Sequence, residues 1–217
     1  MKYIITRHKA CWPEKAFASS VIIAVAFLLG SLLINYAATT YTAKRASSPV
    51  ADIVLDNLPV INTDVVFIQG SIFFTIFIIL LLIHDPKRIP FVFKSVALFV
   101  ITRSFFITLT HIGPSPENSL VLGELGRVFS SGADLFFSGH TGLPFLFALM
   151  YWKQPRLKII FILGSAIAGA SVLLAHAHYS IDVAAAFFIT YTIFHIAQRF
   201  FKKDYEVFLN GMEAKKS

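Results

Sequence analysis

Six long apolar runs alternate with short polar stretches along the chain, at 17–37, 65–83, 91–112, 134–152, 157–176 and 181–198. Each is near the roughly 20 residues that an α-helix needs to cross the hydrocarbon of a bilayer. Lipid cannot satisfy backbone N–H and C=O groups, so such runs must close their hydrogen bonds within a helix. The two-residue alternation of a membrane barrel is absent. The pattern therefore predicts an all-α protein, an integral membrane six-helix transmembrane bundle. The domain reading is a basic head over 1–16, one helical domain over 17–198 and a basic tail over 199–217. The first run follows basic residues as a signal peptide would. It is longer than a secretory core of about 7–15 residues, so it reads as a retained helix.

Composition agrees with this class. The chain is 56% hydrophobic and 14% charged, where a soluble domain carries about a quarter charged residues. Net charge is +7, and its distribution predicts topology. Fourteen of the nineteen Lys and Arg fall in the head, the 84–90 loop, the 153–156 loop with its border, and the tail. The opposite loops hold Lys44, Arg45 and Arg127. The positive-inside rule then predicts both termini cytoplasmic. The basic tail reads as a topology determinant and lipid-surface contact, with no nucleic acid as partner. Lys94, one turn from a cytoplasmic helix end, is expected to snorkel inward. Cys11 is the only cysteine, so no internal disulfide can form.

With that topology, the external face collects most of the candidate chemistry. His178 and Asp182 are four apart, which on a helix places both on one face about 6 Å apart. The carboxylate can then fix the imidazole tautomer and leave the other ring nitrogen as a nucleophile. A plainer reading gives Asp182 to the helix dipole alone. Ser138-Gly139-His140 reads as an anion cradle. Pro144 predicts that the fourth helix begins anew, or kinks, near 141–144, and N–H groups at a helix start bind phosphate. Arg103 lies slightly beyond mid-depth and must face the interior, toward a phosphate or toward Asp64 or Asp134. Arg127 is a further cation on the external side. His140, His176, His178 and Asp182 were also weighed as a metal site. No further Cys or Glu completes a cluster, and the reading is no metal and no cofactor. His8, His84 and His195 are expected to face solvent or headgroups.

Ser138-Gly139-His140, followed about forty residues on by His178 and Asp182, resembles the type 2 phosphatidic acid phosphatase superfamily. The longer strings Phe137-Ser138-Gly139-His140-Thr141 and His178-Tyr179-Ser180-Ile181-Asp182-Val183 resemble the third and fourth motifs of its sphingomyelin synthase-like branch. Arg103, Thr110 and Gly113-Pro114-Ser115-Pro116 are similar to its second motif, and Leu58-Pro59 with Asp64 to its first. The resemblance spans about 58–190. It implies that His178 becomes phosphohistidine, that Asp182 orients it, and that His140 protonates the leaving alkoxide and then deprotonates the incoming hydroxyl. Arg103, Ser138, Gly139, Tyr179 and Arg127 would bind substrate.

The chain departs from the lipid phosphatases proper. The cationic motif ahead of Ser-Gly-His is absent, Ser171 is followed by Val172, and Val60 stands where the synthase pattern has an acid. Fewer cations suit a phosphodiester better than a phosphate monoester. The expected function is a membrane lipid phosphotransferase that moves a phosphoryl headgroup from a phospholipid to a lipid alcohol. A lipid phosphate phosphatase or phospholipase C-like hydrolase using water is the alternative. A non-enzymatic transporter or assembly protein is a third reading, although no half-to-half repeat is visible. Partners are then the phospholipid and lipid alcohol substrates within the membrane, and nothing in the sequence signals an oligomeric state. The short chain and compact loops point to a bacterial inner membrane with the site on the extracytoplasmic side.

Overall fold

The computed structural model describes residues 2–120 and 135–211, and among them it contains no strand. The α-helices are α1 (Lys2–Cys11), α2 (Lys15–Ala43), α3 (Asp64–His84), α4 (Ile89–Leu109), α5 (Gly139–Met150), α6 (Pro155–Leu174), α7 (Ser180–Phe200) and α8 (Lys202–Asn210). Short 3₁₀ turns occupy Leu55–Asn57 and Pro86–Arg88. Five helices are long and apolar enough to cross a membrane: α2, α3, α4 with the preceding turn, α6 and α7. The predicted fourth span takes a different form, the apolar 12-residue helix α5. At 1.5 Å per residue it is about 18 Å long, short of the roughly 30 Å of a hydrocarbon core. The chain thus reaches α5 through the non-helical segment 135–138.

Proline marks the entries to α4 and α6, where Pro90 and Pro155 sit in first turns that lack intrahelical N–H partners anyway. α2 packs along α4, and α5 packs against α6 and α7. The core between them is aromatic and aliphatic: Phe91, Phe99, Phe137, Leu146, Phe161 and Ile193 are each essentially inaccessible. α1 and α8 both dock against Pro86–Arg88, so the two described chain ends share one face of the bundle. Asp85 holds that corner, pairing with Arg88 at 2.8 Å and Arg7 at 3.4 Å. His8 Nε2 donates to the Ile83 carbonyl, 2.8 Å away, while His84 and His195 are exposed.

Lys94 does not snorkel. Its Nζ lies 2.6 Å from Asp204 Oδ2 of α8 and 2.9 Å from Ser20 Oγ of α2, and it is buried. The partner arrives from α8, which folds back beneath α4, so the charge is neutralised in place.

Gly142 marks a close crossing of helices in the bundle. A Cβ there would sit 2.8 Å from Phe99 Cε2 and Cζ on α4 and 2.9 Å from Thr190 Oγ1 on α7. Small residues let membrane helices approach in this way. Gly142→Ala is expected to destabilise the protein by about 1–3 kcal/mol through overpacking. Thermal unfolding in detergent measures it, with Gly70→Ala, which has open space around it, as the tolerated control.

Candidate active site

The turn between α6 and α7 builds one half of the site. α6 ends in a Schellman motif: Ala177 N–H reaches the Val172 carbonyl and His176 N–H the Leu173 carbonyl, both at 2.9 Å. The left-handed position of that motif, usually glycine, is held by His176 at φ 53°. His176 is buried, its Nδ1 lies 3.3 Å from Glu117 Oε2, and its Nε2 has no hydrogen-bond partner among the described residues. The reversal presents His178 just before α7. His178 is 8% exposed, and its Nδ1 lies 3.3 Å from Oδ2 of the fully buried Asp182. The same Oδ2 accepts the Tyr179 N–H at 3.0 Å. Helix α7 starts at Ser180 rather than His178, so Asp182 both caps the helix start and meets the imidazole. One carboxylate oxygen thus serves both the helix start and the His178 contact.

Helix α5 builds the other half. It starts at Gly139, earlier than the 141–144 stretch, because Ser138 caps it: Ser138 Oγ accepts from the Thr141 N–H and hydroxyl at 3.4 and 3.1 Å. Pro144 lies inside the helix, and Ser165 of α6 donates to the Thr141 carbonyl at 2.7 Å beside it. The Ser138 N–H donates to the Asp182 carbonyl at 3.1 Å. This bond joins the two strings, forty-odd residues apart in sequence, at their main chains. Gly169 of α6 permits the approach: a Cβ there would meet Val183 at 3.3 Å and Thr141 at 3.4 Å.

Arg103 reaches the same place from α4. Its Nε donates to the Phe137 carbonyl at 2.9 Å, and its guanidinium lies against Gly139. The His140 ring stacks on Phe67 of α3 with centroids 4.0 Å apart. Tyr179 is buried, with its hydroxyl donating to the Gly113 carbonyl at 2.8 Å and accepting the Val50 N–H at 3.2 Å. Its side chain thus ties both long loops to the start of α7. Arg127 lies outside the described residues, as does Asp134. Among the described residues no group of three or more His, Cys, Asp or Glu is placed to hold a metal ion.

The loops are stitched to the site by groups that lie outside the sequence motifs. Ile61 N–H and Ser119 N–H cap the Leu174 and Ala175 carbonyls of α6. Asp52 Oδ2 accepts the Ser180 N–H at 2.6 Å, and its Oδ1 accepts those of Val54 and Leu55. Burial opposes ionisation of Asp52, yet the bonds from Ser180, Val54 and Leu55 outweigh it and hold the carboxyl below its ordinary 3.8. A depressed folded pKa stabilises the fold fully above the unfolded value, and the benefit is lost as pH falls through the folded value. Protection against hydrogen exchange at Val54, Leu55 and Ser180, relative to the intrinsic rate at each pH, is therefore expected to be high at neutral pH and to fall below about pH 4. Asp52→Asn should show faster exchange at neutral pH and lose that acid dependence. The local signal was present in the sequence as an Asp two and three residues ahead of Val54 and Leu55, a side-chain turn that caps N–H groups.

Residues 132–199 match the family described as PAP2 superfamily C-terminal. The matched segment carries Ser138, Gly139, His140, His178 and Asp182, and covers the joint between α5 and α7. Over those residues the chain is similar to the PAP2 superfamily. Comparison with curated proteins and with solved structures returned no significant match.

Proposed function

We propose that the protein is a phospholipid headgroup phosphotransferase of the sphingomyelin synthase-like kind, acting through a phosphohistidine on the face opposite the chain ends. The observation that carries the reading is the bond from Ser138 N–H to the Asp182 carbonyl, together with the His178–Asp182 contact. In this scheme ionised Asp182 accepts the Nδ1–H of His178 and leaves the Nε2 lone pair free. Nε2 attacks phosphorus, the bond to the diacylglycerol oxygen breaks, and His140 donates its proton to the departing alkoxide. The lipid alcohol then attacks the phosphohistidine, its hydroxyl proton passes to His140, and the P–N bond breaks. Arg103 and the first N–H groups of α5 would neutralise the phosphoryl oxygens.

Among the described residues Arg103 is the cation against the α5 start, a charge that suits a phosphodiester better than a dianionic monoester. Mass spectrometry of lipids after incubation with purified protein tests the reaction. With mixed phospholipids plus ceramide and diacylglycerol, the expected outcome is headgroup exchange that needs the acceptor. Release of free headgroup phosphate ester without acceptor would favour the hydrolase. Faster release from phosphatidic acid than from phosphatidylcholine or phosphatidylethanolamine would remove the phosphodiester argument. In this reading the charge rule puts the site on the extracytoplasmic side, and the short chain and compact loops favour a bacterial inner membrane. Accessibility of single cysteines placed in the 44–63 and 110–120 loops tests that side.

A further inference from the structure

The bundle contains an apolar groove that the chemistry above does not use. α3 leans on α6 and on Pro86–Arg88 rather than on α4. The gap is a groove of about 400 Å³, walled by Phe74, Ile78 and Leu82 of α3 and Val96 of α4, with Leu143 of α5 behind. α3 is the least buried of the five long apolar helices, with 11% of its apolar window covered, so lipid is its natural surrounding.

The groove is collinear with the site. On α5, His140 and Leu143 are three apart and share a face. On α3, Phe67, Phe74 and Ile78 recur at helical spacing on one face, and Phe67 is the residue stacked on His140. From 67 to 83 the helix rises about 24 Å. At the far end the groove meets α1: His8 lines it. α1 is latched there, His8 Nε2 lying 2.8 Å from the Ile83 carbonyl and Arg7 donating to the His84 carbonyl at 3.3 Å. A headgroup among these apolar walls would lose hydration without compensation, whereas a hydrocarbon chain would not.

We propose that the groove holds one acyl chain of the lipid whose phosphate is handled at His140, and that α1, through His8, closes the groove and sets the chain length accepted. The identity of that lipid as phosphoryl donor rests on the proposed function; the groove itself does not. Protein in nanodiscs would be photolabelled with phosphatidylcholine carrying a diazirine either at the terminal carbon of one chain or next to its carboxyl, and the labelled peptides mapped. The terminal diazirine is expected to label α1 around His8 and the α3 end near Ile83. The carboxyl-side diazirine is expected to label the stretch around Phe67. Ile78→Trp, which fills the groove, should cut terminal labelling about tenfold. His8→Trp should shift bound lipid toward shorter chains and His8→Ala toward longer ones, read by mass spectrometry of co-purified lipid. The His8 variants lie outside the spans and stay informative if Ile78→Trp fails to fold. Labelling in the reverse order, which an inverted lipid from the other leaflet would give, overturns the proposal. So does labelling that ignores all three substitutions. Labelling in the expected order without lipid turnover would sink the transferase and leave the groove; turnover without it would do the converse.

Discussion

In the proposed scheme His178→Ala removes the nucleophile, so it is expected to lower lipid headgroup turnover by more than ~10⁴-fold, while the protein inserts and folds normally. The fold should survive because Asp182 keeps the Tyr179 N–H and its carbonyl keeps the Ser138 N–H. His140→Ala should also be slow, for a different reason: in the proposed scheme His140 protonates the departing alkoxide. A donor with a nitrophenolate leaving group needs no such proton, so it should restore the first half-reaction in His140→Ala and not in His178→Ala. Acid-labile label should then accumulate on the His140→Ala protein when a phosphorus-labelled donor is used. Asp182→Asn should fall between the two, because an amide misorients the imidazole and disfavours the reactive tautomer. Unchanged turnover in His178→Ala would favour the non-enzymatic reading. Equal rescue of both histidine variants would remove the division of labour.

The parts of this molecule that were legible in the sequence are those decided by short range and by the solvent. Lipid forces apolar runs into helices, so α2, α3, α4, α6 and α7 stand where the runs are. His178 and Asp182 are close because four residues of chain keep them close. The segment 134–152 is mostly apolar, but hydropathy does not register a cap: Ser138 sets the helix start at Gly139 and 135–138 is non-helical. The groups that hold the site together are long-range and left no local mark. Ser180 and Asp52 are 128 positions apart, and Tyr179 and Gly113 are 66. His176 hides a further signal, since a histidine in a left-handed turn carries no sequence motif where glycine would.

Lys94 shows the same limit and gives the second large effect. Asp204→Asn is expected to cost about 3–5 kcal/mol, because it leaves a buried ammonium without its counter-charge. The two side chains are 10% and 16% exposed, so water screens the pair weakly. Lys94 holds Ser20 as well, and Ser20 donates to the other Asp204 oxygen at 2.6 Å. One ion pair therefore fastens α2, α4 and α8 together, and its loss should free α8 before the bundle unfolds. Limited proteolysis after 200, compared with thermal unfolding in detergent, separates those two events: cleavage should rise at temperatures where the bundle remains intact. Lys94→Met with Asp204→Leu should recover most of the stability, since an apolar pair of similar size avoids desolvating two charges. A double variant as unstable as the sum of the singles would mean that the two side chains are uncoupled, and would remove the ion-pair argument.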